Sequence, residues 1–136
     1  MKNKDKALIG NEKIEEAISV LKDDFSEENL ARLLTIIRGR IHEGGQVVVA
    51  VDAGGTNEFS GLQLKTANYN GEKWFVAFTS FEEEIKGGES VISGFMADIE
   101  QLFDLAYKSG EVEGILMNPF GNLVTLNKSI IEVIIK

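Results

Sequence analysis

The feature that most constrains this chain is the break at Gly44-Gly45, where the hydrophobic period changes from helical to that of a buried strand. Upstream, Leu30, Leu33, Leu34, Ile37 and Ile41 recur at helical spacing. Downstream, Val47-Val48-Val49-Ala50-Val51 is apolar without interruption and mostly β-branched. Such a run is too short for a helix and suits a strand covered on both faces. A strand of that kind needs a layer on each side, so the chain must build a sheet with helices packed against it.

The remaining pattern supplies the other elements. Ile14, Ala17, Ile18 and Leu21 form one helical stripe between Asn11 and Lys22, with Asn11 placed to cap its start. Ser26 stands as cap of the second helix, and Glu27 and Glu28 occupy its first turn, where the helix dipole favours carboxylates. Arg38, Arg40 and His42 crowd the last turn, where positive charge is favoured. Leu62 to Thr66 alternates as a half-buried strand does, and Asn70-Gly71 is a strong hairpin signal. Lys73 to Thr79 is the returning strand, and its aromatic residues place it near the sheet centre. A short helix capped by Ser80 follows to Lys86 and is stopped by Gly87-Gly88. A longer helix is expected from Gly94 to Lys108, with Phe95, Ile99, Leu102, Phe103 and Ala106 on one side. Glu113 to Met117 and Leu123 to Leu126 read as strands on either side of the turn Asn118-Pro119-Phe120-Gly121-Asn122. A final helix capped by Asn127 carries Ile130, Ile131, Ile134 and Ile135. The expected class is α+β: a mixed, mostly antiparallel sheet of about five strands covered by helices. One domain over residues 11–136 accounts for the whole pattern, behind a flexible N-terminus over residues 1–10.

Charge narrows the function classes. The chain of 136 residues carries a formal charge of −8, with 22 acidic side chains against 14 basic ones. Nucleic acid and anionic membrane are poor partners on that balance, because both reward clustered Lys and Arg. The lack of cysteine removes disulfides, thiolate metal sites and cysteine nucleophiles. No apolar run approaches the ~18 residues of a membrane span or the length of a signal peptide, so a cytoplasmic protein is expected.

Several motifs invite chemical readings. Val51-Asp52-Ala53-Gly54-Gly55-Thr56-Asn57 resembles the first phosphate loop of the actin-like sugar kinases. Glycines there would let backbone amides approach a phosphate, and the aspartate would hold magnesium. The chain is too short for that two-lobed fold, and two helices precede the motif where those kinases begin with the strand. A glycine-rich turn closing a strand is the favoured reading, and nucleotide binding through Asp52–Thr56 stays a remote alternative. His42, the sole histidine, has no Gly-x-Ser-x-Gly elbow to serve and reads as a helix-end residue. Glu82-Glu83-Glu84, and Asp98 with Glu100, read as solvated carboxylates and not as convergent pairs. No calcium loop and no zinc-binding helix is present, so neither a metal nor another cofactor is expected. Two loops remain as binding candidates. Gly87-Gly88-Glu89-Ser90 and Ser93-Gly94 bracket the expected start of the long helix, whose free amides suit an anion. Asn118, Pro119 and Phe120 place an aromatic ring in a turn, as interfaces often do.

The ordered succession Phe75-Val76-Ala77-Phe78-Thr79-Ser80, Ile92-Ser93-Gly94-Phe95 and Gly114-Ile115-Leu116-Met117-Asn118-Pro119 resembles the SseB family, specifically the N-terminal domain of proteins linked to enhanced serine sensitivity. Upstream, the helix from Ser26 to Ile41 and the strand from Val47 to Asp52 fit the family's opening elements, so the likeness spans residues 26–126. Ala50 departs from it, standing where a proline is frequent. The resemblance implies a mixed α/β domain with no catalytic residues to carry over. Together these readings point to a non-enzymatic binding domain whose partner is a protein or a second copy of the chain. The alternative is a small-ligand sensor taking an anion or amino acid near Ser93-Gly94 or Gly54-Gly55.

Overall fold

The computed structural model describes residues 8–52, 63–86 and 93–135. Two helices come first, α1 (Glu12–Asp23) and α2 (Glu27–His42). Then follow β1 (Gln46–Asp52), β2 (Gln63–Leu64), β3 (Thr66–Tyr69), β4 (Glu72–Phe78) and α3 (Phe81–Ile85). The chain closes with β5 (Ser93–Asp98), α4 (Ile99–Lys108), β6 (Gly114–Met117), β7 (Val124–Asn127) and α5 (Lys128–Ile135). Local chemistry accounts for most boundaries. Ser26 accepts the Asn29 N–H at 3.1 Å, and Ser80 caps α3 by accepting the Glu83 N–H at 3.2 Å. Asn127 caps α5 through the Ile130 N–H at 3.0 Å. Asn70 and Gly71 both take positive φ, 54° and 81°, as a two-residue hairpin turn with the twist of its strands requires.

Among the described residues, seven strands form one mixed sheet in which β4 and β6 run parallel and the other pairs antiparallel. β1 has three partners, and a strand has only two edges. β5 takes one edge along Gln46–Val51, while β4 shares the other with β2. β4 meets β1 only at Val48↔Phe78 and Val49↔Ala77, whereas β2 meets it at Val51 and Asp52. β3 in turn occupies β4 from Glu72 to Phe75. The β2–β3 ribbon therefore forks the sheet at one end, and the width elsewhere is five strands, β5-β1-β4-β6-β7. The expected class and sheet are those observed.

The layers follow from strand alternation. Val47 and Val49 of β1, and Phe75 and Ala77 of β4, face a large core built with Ile14 and Ile18 of α1, Leu33 and Ile37 of α2, Leu102 and Phe103 of α4, and Ile131 of α5. Each such fully buried side chain is worth about 1.5–3 kcal/mol over its exposed state. Val48, Ala50, Val76 and Phe78 face the opposite way and form a smaller cluster with Leu8, against which Phe81 and Met96 pack. Covering of β1 on both faces matches its uninterrupted apolar run.

Two expectations need correction. The helix expected from Gly94 begins only at Ile99, because Ser93–Asp98 is strand β5. Phe95 and Ile99 have helical spacing, but β1 needs a ladder on each edge, and six residues of β5 provide it. Asn11 makes no side-chain cap bond; its amide is instead built into the core, as described below. Of the start expected to be flexible over residues 1–10, residues 1–7 lie outside the described residues. Leu8 is 92% buried, and its carbonyl accepts the Asn11 N–H at 3.0 Å.

Candidate functional site

The carboxyl ends of the parallel strands β4 and β6 deliver Thr79 and Asn118 side by side. In sheets with parallel strands, the crevice beyond such ends is the usual place for a ligand. Asn118 N–H bonds to the Ala77 carbonyl at 2.9 Å and extends the ladder by one residue. The Asn118 backbone then turns to φ 54°, and Gly121 N–H closes the turn on the Asn118 carbonyl at 3.1 Å. Pro119 occupies the second turn position, where its fixed φ is suited.

A buried polar chain runs behind this crevice. Asn118 Oδ1 accepts the Thr79 N–H, and Asn118 Nδ2 donates to Thr79 Oγ1. Thr79 Oγ1 donates to Glu15 Oε2 at 2.5 Å. Asn11 Nδ2 donates to the carbonyls of Gln46 and Thr79 at 2.8 and 3.0 Å, and Asn11 Oδ1 accepts Arg40 Nε at 2.8 Å. Arg40, in the last turn of α2, is buried and also pairs with Glu43 Oε1 at 2.7 Å. A Cβ on Gly45 would come within 2.7 Å of its guanidinium, so glycine is what lets that group lie flat against the chain. α1, α2, β1, β4 and the turn after β6 are thereby joined through the side chains of Asn118, Thr79, Glu15, Asn11 and Arg40.

In front lies a cleft of about 310 Å³ between α1 and α3. Among the described residues, Glu12, Glu15, Glu82 and Glu83 line it together with one cation, Lys86. Lys86 Nζ pairs with Glu83 Oε2 at 2.7 Å, and that bond, with the charges of Glu83 and Glu15, raises the lysine pKa. Glu12 lies below the ordinary carboxyl range because backbone N–H groups, its own and that of Gly10, bond to its carboxylate. Glu83 Oε1 is buried without a hydrogen-bond partner. Gly121 passes close by: a Cβ there would sit 2.6 Å from this oxygen and 3.2 Å from Lys86 Nζ. Glu84 is buried as well, one of its oxygens has no partner, and burial raises its pKa. The Glu82–Glu84 run is therefore not a solvated face. Of the three only Glu82 is exposed, because α3 packs on the sheet through Phe81 and turns Glu83 and Glu84 inward.

Of the candidate residues, Asn118, Pro119 and Phe120 form the turn after β6; Asn118 bonds to Thr79, and none of the three lines the cleft. Phe120 is 47% exposed, with its ring centroid 5.7 Å from that of Phe78 at an interplanar angle of 32°. Ser93 and Gly94 pair with Val51 and Ala50, at the opposite end of the sheet from Thr79 and Asn118. No helix starts beside them, so the amides invoked for an anion are committed to a strand. Asp52 ends β1 at that same far end, while residues 53–56 and the glycine-rich stretch 87–90 lie outside the described residues. His42 is exposed at the end of α2. Asn11, Glu15, Thr79 and Lys86 were missed by sequence reasoning, and only the polar pair Thr79-Ser80 at a strand end hinted at them.

The Thr79 hydroxyl is fully buried and engaged with Glu15, which fits a brace and not a nucleophile. Among the described residues no three His, Asp or Glu side chains converge as metal ligands. No described helix is long and apolar enough to cross a membrane. No protein-family model, no curated protein and no solved structure matches the chain.

Proposed function

We propose that the chain is a non-enzymatic protein-interaction domain of the SseB N-terminal type, and that its partner docks on the surface around Phe120. The observation that carries this reading is a large aromatic ring, half exposed, on a turn held rigid from behind. Asn118 locks the turn to Thr79, and Phe78 supports the ring. A rigid exposed aromatic loses little entropy on binding and buries much area, which is why such residues anchor interfaces. Ile85 on α3 and Ile9 before α1, 69% and 62% exposed, stand on the two segments that form the cleft beside it.

Affinity capture from native lysate tests the reading by comparing the wild-type chain with Phe120→Asp. The expected outcome is a discrete partner held by the wild type and missing from the variant, with circular dichroism showing both folded. A variant that recovers every protein the wild type recovers would overturn it.

A further inference from the structure

The tip of the β3–β4 hairpin joins two groups that can react with each other. Of the asparagines in the chain, Asn70 alone is followed by glycine. The nitrogen of the next residue can attack an asparagine side chain, which makes asparagine thermolabile, and the Cβ of that next residue is the usual obstruction. Gly71 has no Cβ, and nothing lies within 4 Å of where one would stand. Both residues are exposed to water. Among the described residues, no hydrogen bond holds the Asn70 side chain or the Gly71 N–H. Asn11, Asn29, Asn118, Asn122 and Asn127, by contrast, have their side chains hydrogen-bonded. Asn68 is exposed, but the bulky Tyr69 follows it.

We propose that Asn70 is a site of spontaneous covalent modification in the folded chain, and that the isoaspartate formed there releases β3 from β4. The Gly71 nitrogen forms a bond to Asn70 Cγ. Its proton and the side-chain nitrogen leave together as ammonia, and a cyclic imide remains. Water then opens the imide. Breaking the bond from nitrogen to Cγ leaves aspartate. Breaking the bond to the main-chain carbonyl carbon leaves isoaspartate, whose chain runs through Cγ and is one carbon longer. A two-residue turn fixes hairpin register, and the longer chain no longer fits it. β3 is held at Thr66↔Phe75 through Tyr69↔Glu72, the pair that flanks the turn. Trp74, the sole tryptophan, pairs with Ala67 and donates its Nε1–H to the Tyr69 carbonyl at 3.2 Å. Its emission therefore reads the state of the turn. The tip lies at the opposite end of β4 from Phe78, so the modification is independent of docking at Phe120.

The test ages the full chain in mildly alkaline buffer and follows it by peptide mass mapping and by Trp74 emission. The expected result is exchange of amide for acid in the peptide holding Asn70, well ahead of every other asparagine. Isoaspartate appears there, labelled by an isoaspartyl O-methyltransferase with S-adenosylmethionine, and Trp74 emission shifts to the red in step with it. Asn70→Gly supplies a Gly-Gly turn of the same type and keeps its emission through the same treatment. Freshly purified Asn70→Asp gains the charge without the longer chain, and its emission matches that of fresh wild type. Conversion of other asparagines as fast as Asn70, or conversion of Asn70 in urea but not in the folded chain, would overturn the site. Isoaspartate without an emission change, or an equal change in aged Asn70→Gly, would overturn the release of β3.

Discussion

Asn118 Oδ1 accepts the backbone N–H of Thr79 at 2.9 Å, and the Asn118 amide returns a hydrogen bond to the Thr79 hydroxyl at 3.1 Å. One side chain thus adds a rung between two parallel strands just past their ends, where the backbone ladder has run out. The same residue sits at positive φ, which asparagine tolerates better than other non-glycine residues.

Asn118→Ala removes both bonds, leaves a buried N–H unpaired and makes the left-handed turn harder to hold. The expected loss in urea denaturation is about 2–4 kcal/mol. Asn118→Gly keeps the backbone freedom and loses only the bonds, so it falls between wild type and alanine. If alanine matches the wild type to within about 0.5 kcal/mol, the brace contributes nothing.

Gly114 is fixed by contact as well as by conformation. Its φ is 156°, and a Cβ would stand 2.1 Å from the Leu126 carbonyl oxygen across the β6–β7 pair. Gly114→Ala forces those strands apart, with an expected cost of about 3 kcal/mol or more and selective loss of amide protection in β7. A variant with wild-type stability and exchange would show that the pair relaxes freely.

Glu84 gives the fold a specific response to pH. Burial raises its folded-state pKa above the unfolded value, so the folded protein binds that proton more tightly. The associated stability is fully present below the ordinary carboxyl range and is lost as pH rises through the raised value. Glu84→Gln carries no such titration. The melting temperature of the variant relative to wild type is therefore expected to rise with pH across this window and then level off. A difference that stays flat with pH would remove Glu84 as its source.

The two stacked phenylalanines should separate by function. Phe78 is 1% exposed, and Phe78→Ala is expected to cost about 3–5 kcal/mol. Phe120→Ala loses one ring contact on a half-exposed side chain, about 1 kcal/mol, while abolishing partner capture. Chemical denaturation of both variants beside the capture experiment distinguishes them. Comparable destabilisation by the two would make Phe120 a core residue and weaken its standing as an anchor.

Elements defined by neighbours in sequence were legible: the Ser26, Ser80 and Asn127 caps, the Asn70-Gly71 hairpin, and the central β4. β5 was not, because nothing in Ser93–Asp98 itself reveals that β1 has an unfilled edge. Asn11 shows the same limit at a single residue. An asparagine before a helix reads as a cap, yet its amide bonds to residues 35 and 68 positions away. The crevice was half visible for a related reason. The turn at Asn118 and Phe120 announces itself locally, whereas Thr79, Glu15 and Lys86 join it only once β4 and β6 lie parallel. Their acidic neighbours looked solvated since charge runs usually are, and only the packing of α3 turns Glu83 and Glu84 inward.

The forked sheet has a consequence for how the molecule transmits load. β1 and β4 share a boundary of only two residue pairs, both at the end that holds Thr79. Bending the other end, where Val51 pairs with Ser93 and Leu64, strains the β2–β3 ribbon and leaves few rungs to carry the displacement across. The continuous β1–β5 ladder is then the main connection between the two ends. Substitutions in β2 therefore reach the end that holds Thr79 chiefly through β1 itself.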